Sequence, residues 1–478
     1  VVSPHRNSTI TNPAHHLMPP TYNFAVRSPA MPTSPSIVPS TIDNSIQDVS
    51  SDSKKSADNE DPPLPIVFCN ANSWIGKKRS VEVKVEEIQR RMGSPEFQTI
   101  RMIQRLTRHA RTSYNAFEHK LLNARIPIEK ELSSEPAGST IEMLLEADAL
   151  TLGLDFNKVS GNELCKSTLA SISTCADDRN VKTIGEHAQH IWDLLMCVKK
   201  HLLRIGREPG NIVEKQLYDP NCPDSRAVHK FSHETHGFGP RAAVTVIERL
   251  ICVVELIKKE EGRQVLKQAN FELVKPIIDT GREIDSSVLM VQPDDEDTYD
   301  EAVLPRIGYD VEPINVTRGE VRRRIQGPEK FTPTLLCAFL RKEKVAGSLP
   351  NLRVDLHNLG IPFDERRKTK KSIQTISWTS LSEKESMDLA RETGAFLMQL
   401  SPSKEMREKA RDNPHAVAWL AFMASSIERA MNKIGVTPEQ RRVETVAEEH
   451  LLRFALITHH FGHNFFAAVM AWLQKILQ

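Results

Sequence analysis

No uninterrupted apolar stretch in this 478-residue chain approaches the roughly 20 residues that span a bilayer. Even the run Ala416 to Ala424 ends in Ser425 and Ser426, so no membrane-spanning segment is expected. The chain opens on Val1, and no secretory signal peptide is expected there. Close Cys-x-x-Cys pairs of the kind used by zinc ribbons and redox sites are also missing. The seven cysteines (Cys69, Cys165, Cys175, Cys197, Cys222, Cys252 and Cys337) are odd in number and scattered, which fits a reducing compartment. No glycine-rich phosphate loop follows a strand pattern, and neither a Gly-x-Ser-x-Gly elbow nor a paired catalytic carboxylate stands out. An enzyme is therefore not expected, and no cofactor is. Charge of one sign is lacking too: 63 basic and 62 acidic residues leave a net of +1, so a nucleic-acid surface has to come from local clustering. Hydrophobic residues make up only 39%, below the globular average, and 29 prolines suggest that part of the chain buries nothing.

That part is the N-terminus. Residues 1–75 hold eleven of the prolines with many Ser, Thr and Asn, too little apolar surface to offset chain entropy, so they read as a disordered tail. Within it Pro19, Pro20 and Tyr22 give the P-P-x-Y form of a WW-domain ligand, which makes a WW-domain co-regulator a candidate partner. From about residue 80 helical periodicity takes over. Asn413 as N-cap and Pro414 at the first helical position open a run of Val417, Leu420, Ala424, Ile427, Met431 and Ile434, stopped by Gly435. Thr437-Pro438-Glu439-Gln440 and Ser160-x-x-Glu163 read as further capping boxes. Val181, Ile184, Ala188, Ile191, Leu195, Val198 and Leu202 line another helix. Residues 263–305, with Asp294, Asp295, Glu296 and Asp297, read as an acidic linker.

The linker separates two similar halves. Glu87-Ile88-Gln89-Arg90-Arg91 lies over Glu320-Val321-Arg322-Arg323-Arg324, and Ile126-Pro127 matches Ile361-Pro362. Glu146 through Leu152 lies over Glu383 through Leu389, and Thr235-His236-Gly237-Phe238-Gly239 over Thr458-His459-His460-Phe461-Gly462. Four collinear anchors over about 150 residues define an internal repeat.

The same anchors resemble the activator protein 2 family of helix-span-helix transcription factors. Lys84-Val85-Glu86-Glu87-Ile88-Gln89-Arg90-Arg91-Met92 looks like the opening of that family's DNA-binding and dimerisation domain, and Thr235-His236-Gly237-Phe238-Gly239 looks like its Ser-His-Gly-Phe-Gly element. Copy two is similar to the family through Leu356 to Pro362, Arg366-Arg367-Lys368, Thr379 to Glu383 and Leu389-Ala390-Arg391. The resemblance implies a mainly α fold: two tandem helix-span-helix modules after the tail, at residues 76–262 and 306–478. It also implies nuclear location, dimeric binding of GC-rich, palindromic double-stranded DNA, and pairing with itself or with related factors. The family usually carries the module once, so two copies in one chain suggest an intrachain pseudo-dimer, with pairing between molecules left open.

Copy two carries the stronger basic cluster. Arg341, Lys342, Lys344, Arg353, Arg366, Arg367, Lys368, Lys370 and Lys371 stand against four acidic residues from 341 to 371 and are the candidate DNA contacts, the alternative being a solvated basic loop. Copy one has six basic against four acidic residues from 105 to 136, and Glu129-Lys130-Glu131 where copy two has Arg366-Arg367-Lys368. Loss of DNA contact in one copy, leaving a protein-interaction module, is therefore the second hypothesis. Arg90, Arg91, Arg322, Arg323 and Arg324 read either as phosphate contacts or as a solvated face, and Lys77-Lys78-Arg79 as a short basic cluster compatible with nuclear import. Val244, Ile247, Ile251 and Val254 in copy one, with Phe465, Val469 and Trp472 in copy two, are expected at the dimer contact. His229, His233, His236, His459, His460 and His463 crowd in two groups, but the spacing is not that of the zinc-protease helix. Buried structural histidines are expected there, and no metal. Trp192, Trp378, Trp419 and Trp472 read as packing.

Overall fold

The computed structural model describes residues 66–70, 79–83, 87, 140–141, 144–173, 178–204, 221–259, 316–340, 353–354, 356–358, 361, 376–435 and 446–477. Outside these lie Pro19, Pro20 and Tyr22, the linker, the Thr437 capping box, and every candidate DNA contact except Arg353. A two-stranded antiparallel hairpin, β1 (Ile66–Asn70) and β2 (Arg79–Val83), comes first. It crosses the end of the segment that composition alone assigned to the tail. Its register pairs Ile66 with Val83 and Phe68 with Val81, and the period-two sequence signal of five-residue strands is too short to register against the surrounding polar residues.

The other elements among the described residues are helical. Copy one supplies α1 (Glu146–Val159), α2 (Asn162–Ser173), α3 (Asp178–Leu202), α4 (Pro223–Glu234) and α5 (Phe238–Lys258). Copy two supplies α6 (Arg318–Gln326), α7 (Pro333–Leu340), a 3-10 turn (Ser377–Ser380), α8 (Glu383–Leu397), α9 (Lys404–Asp412), α10 (Pro414–Gly435), α11 (Val446–Ile457) and α12 (Phe461–Leu477). Helix α10 starts at Pro414 as its sequence requires, and Asn413 O accepts the first amide, from Val417, at 3.1 Å. The Ser382 hydroxyl accepts from Glu385 N while the Glu385 carboxylate accepts from Ser382 N, so α8 has the reciprocal cap. Ser160 behaves differently. Its hydroxyl turns back onto Phe156 O at the end of α1, and α2 begins only at Asn162.

The repeat returns in three dimensions. In copy one Thr235 Oγ1 donates to Phe231 O (2.7 Å) and accepts from Gly239 N (2.9 Å). In copy two Thr458 Oγ1 donates to Phe454 O (2.8 Å) and accepts from Gly462 N (2.8 Å). Both turns pass through left-handed backbone, at His236 and Gly237 (φ 51° and 79°) and at His459 and His460 (φ 48° and 65°). Gly239 and Gly462 lie so close to a ring that an added Cβ would sit 2.6 Å from Phe231 and 2.5 Å from Phe454.

The helices of both copies bury one continuous hydrophobic core. Within their own copies α5 packs on α3 and α12 on α10 and α8. Between copies α11 lies on α2, α10 on α3 and α2, and the 3-10 turn on α1. A second, smaller cluster (Val316, Val321, Ile325, Phe331, Leu336, Phe339, Leu340, Leu356 and Ile361 among its members) belongs to copy two alone.

Candidate functional site

The junction between the copies is built from aromatic rings. Phe238 and Phe461, equivalent in the repeat, meet with ring centroids 5.3 Å apart. Trp378 lies 4.5 Å from Phe461 and 6.1 Å from Phe238, and Phe156 of α1 touches Trp378, Phe454 and Phe461 at 5.3, 5.9 and 5.1 Å. Polar groups fix the register of this apolar contact. Trp378 Nε1 donates to Leu152 O, and Ser377 N donates to the Asp155 carboxylate. Glu392 of α8 accepts from Thr140 N and Ile141 N, 3.1 and 2.8 Å away. At the rim Glu405 of α9 bridges Lys200 of α3 and Arg204 just past its end.

The residues expected at a dimer contact are all buried, on α5 and α12. Trp472 Nε1 donates to Leu400 O of its own copy, and the ring of Phe465 lies tilted against Phe461 at 5.3 Å. The two long helices approach each other at their first turns, through Phe238 and Phe461.

Sequence reading missed the second element of the site. Arg323 and Arg324 are buried, Arg324 to 1% exposure. Arg323 holds Glu383 through Nε (2.8 Å) and Nη2 (2.6 Å). Arg324 pairs with Glu320 (2.9 Å) and Glu329 (3.1 Å), donates to the carbonyls of Thr379 and Leu381, and places Nη1 2.7 Å from His459 Nε2. Its guanidinium also lies 4.3 Å from the Phe339 ring centroid. One side chain thus ties the smaller cluster to the repeat turn and to the start of α8.

The electrostatics follow from burial. Burial opposes ionisation of Glu329, but the opposite charges of His459 and Arg324 outweigh it and bring the carboxyl down to about 2. Burial, reinforced by the Arg324 charge, pushes the His459 pKa below its ordinary value. His459 is therefore a buried, oriented structural histidine, and His236 is buried at the equivalent turn.

Copy one keeps part of this design: Glu87 accepts from Glu146 N at 2.9 Å just as Glu320 accepts from Glu383 N at 3.1 Å. A carboxylate thereby satisfies the orphan amide at the head of each equivalent helix. The serine cap of α8 has no counterpart, since Leu145 stands at the N-cap of α1.

The smaller cluster lies next in sequence to the basic segment. Leu340 immediately precedes Arg341, while Leu356 and Ile361 precede Arg366, and all three belong to that cluster. Arg353 is exposed there. No helix among the described residues is long and apolar enough to cross a membrane.

These features define a helical tandem repeat whose equivalent turns meet in one shared core. The family model described as transcription factor AP-2 matches residues 71–257 and again 306–478, and the chain belongs to this family. It is 28% identical over 172 residues to transcription factor aptf-1 of Caenorhabditis elegans, covering 32% of this chain and 47% of that protein. It is 26% identical over 176 residues to human transcription factor AP-2-delta, covering 34% and 38%, and 27% identical over 178 residues to human transcription factor AP-2 gamma, covering 34% and 39%. The matched region thus spans less than half the length of each of these relatives.

Proposed function

We propose that the chain is a nuclear, sequence-specific DNA-binding transcription regulator whose two copies act as an intrachain pseudo-dimer on GC-rich, palindromic promoter or enhancer DNA of RNA polymerase II genes. The contact of Phe238 with Phe461 carries the reading, because equivalent residues touch each other where a two-fold axis would run between two subunits. One polypeptide then presents two DNA-facing modules without a second molecule. Copy two is the stronger reader, through Arg341, Lys342, Lys344, Arg353, Arg366, Arg367, Lys368, Lys370 and Lys371. Lys and Arg there neutralise phosphates, and an Arg fork suits guanine O6 and N7. The short basic runs Lys77-Lys78-Arg79 and Arg366 to Lys371 serve nuclear import, and Pro19, Pro20 and Tyr22 recruit a WW-domain co-regulator.

A second reading has copy one as a pairing module that has lost DNA contact and acts on related factors through mixed pairing. Glu129-Lys130-Glu131, opposite Arg366-Arg367-Lys368 in the repeat, favours it for that half.

Binding-site selection with the full chain tests the proposal. A GC-rich palindrome should be enriched, and Ala at Arg366, Arg367, Lys368, Lys370 and Lys371 should abolish specific binding. Each lost phosphate contact lowers the salt slope by about 0.9. Ala at Arg125 and Lys130 should do little. If no site is enriched, or if the five-fold variant keeps its helices and binds as tightly as the parent, the pairing-module reading replaces this one.

A further inference from the structure

Helices α1 and α8 carry more apolar surface on their outward sides than the fold requires. Glu146 lies over Glu383 in the repeat, and the same register places Asp155 over Glu392 and Thr140 over Ser377. These equivalent residues exchange contacts across the junction: Asp155 accepts from Ser377 N, and Glu392 accepts from Thr140 N. Each helix thus holds the chain that enters the other, which sets the local two-fold of the repeat between them. Ala149, Leu152 and Phe156 of α1, with Leu389, Ala390 and Leu397 of α8, sink into the shared core. The opposite sides of the two helices therefore face outward together, above the junction.

On that side α1 exposes Leu150, Leu154 and Lys158, and α8 exposes Lys384, Met387 and Arg391. Leu150 and Met387 occupy the same position of the repeat. Leu150, Leu154 and Met387, at 38%, 52% and 42%, are three of the four large hydrophobic side chains exposed among the described residues. The charges beside them have one sign, because every acidic residue of the two helices is buried or half-buried. Lys158 and Arg391 pair with Asp155 and Asp388 of their own helices, yet stay 72% and 59% exposed while those carboxylates are largely covered.

We propose that the outward sides of α1 and α8 form one docking surface for an acidic amphipathic segment of a partner protein. The apolar side of that segment covers Leu150, Leu154 and Met387, and its carboxylates meet Lys158, Lys384 and Arg391. A second copy of this chain would set these cations against themselves, and a DNA backbone would leave the three apolar side chains without an apolar cover.

The test measures, by fluorescence anisotropy, binding of the full-length chain to a labelled synthetic helical peptide with Leu along one side and Glu on its flanks. The same peptide with Lys in place of Glu is the control. The Glu peptide should bind, and more weakly as salt rises, while the Lys peptide should not. Leu150→Asp with Leu154→Asp, and separately Lys384→Glu with Arg391→Glu, should each weaken binding about tenfold or more while circular dichroism shows the helices kept. The proposal is overturned if the Glu peptide does not bind, if the Lys peptide binds equally well, or if the folded variants keep the parent's affinity. Three further outcomes would assign the surface to another occupant. Self-association that Leu154→Asp abolishes would give it to a second copy, and displacement of the peptide by a DNA duplex would give it to DNA. Peptide binding seen only after Asp294→Asn, Asp295→Asn, Glu296→Gln and Asp297→Asn would give it to the chain's own acidic linker. The comparison of the two peptides on the parent chain needs no variant, so it decides the proposal however the variants fold.

Discussion

Phe238 and Phe461 occupy the same position in two copies of one repeat, and their rings touch across the shared core at 5.3 Å and 58°. Truncating either to Ala should cost about 3–5 kcal/mol, the range for a buried phenylalanine. The double variant should cost less than the sum, because each ring is part of the other's surroundings. Urea unfolding of the two single variants and the double variant checks this. Strict additivity would mean that the two turns are energetically independent.

The glycines behind these rings should behave alike. Gly239→Ala and Gly462→Ala each drive a methyl into a phenylalanine of the preceding helix and should cost about 1–3 kcal/mol or more. Gly153 sits within α1 with its nearest neighbour, Arg241 Cδ, 3.7 Å from an added Cβ. There the same change should stabilise by about 0.4–1 kcal/mol through the unfolded chain. Thermal melts of the three variants that showed equal shifts would contradict the geometry.

Arg324 should be far more sensitive than a surface arginine. Replacing it by Met leaves Glu320 and Glu329 buried without their partner, which should cost about 3–5 kcal/mol. Arg391, largely exposed and paired with Asp388, should cost under about 1 kcal/mol when changed to Ala. Comparable losses in denaturant titration would refute the clamp.

A buried group and a half-buried one set opposite pH trends. Burial lowers His201 from 6.5 to about 4, so the stability of its neutral form is full above about 6.5 and is lost as pH falls towards 4. Burial raises Glu392 from 4.5 to about 7, so the folded state gains from its protonation at low pH and loses that gain as pH rises from 4.5 to 7. His201→Leu should therefore flatten the acid side of the stability profile, and Glu392→Gln should remove the decline between 4.5 and 7. Unfolding free energies across pH 4–8 that keep the parent's shape in both variants would exclude these assignments.

Much of this architecture was legible because it depends on local signals. Asn413-Pro414 announces a helix start through chemistry confined to one turn, and Thr235 to Gly239 repeats as Thr458 to Gly462 because one backbone turn demands it. Arg323 and Arg324 were not legible. In a sequence they are charges beside a turn, and the partners that make their burial tolerable lie far along the chain: Glu383 by 60 residues and His459 by 135. Trp378 shows the same limit, since it reads as packing while the carbonyl that fixes it belongs to Leu152, 226 residues away in the other copy. The expected pairing of α5 and α12 named residues that are buried, but apolar spacing cannot say which neighbour buries them. For most of their length that neighbour is α3 or α10 of the same copy.

The central claim is that the copies close on one another within a single molecule, and the ion pair of Lys200 with Glu405, 3.1 Å apart at the rim, gives direct access to it. A zero-length carbodiimide joins an amine to a carboxylate only at contact. Applied to an equal mixture of light and isotope-labelled chains, it should yield Lys200–Glu405 peptides that are wholly light or wholly heavy. Mixed light–heavy peptides as the main product would place the junction between two molecules and contradict the account.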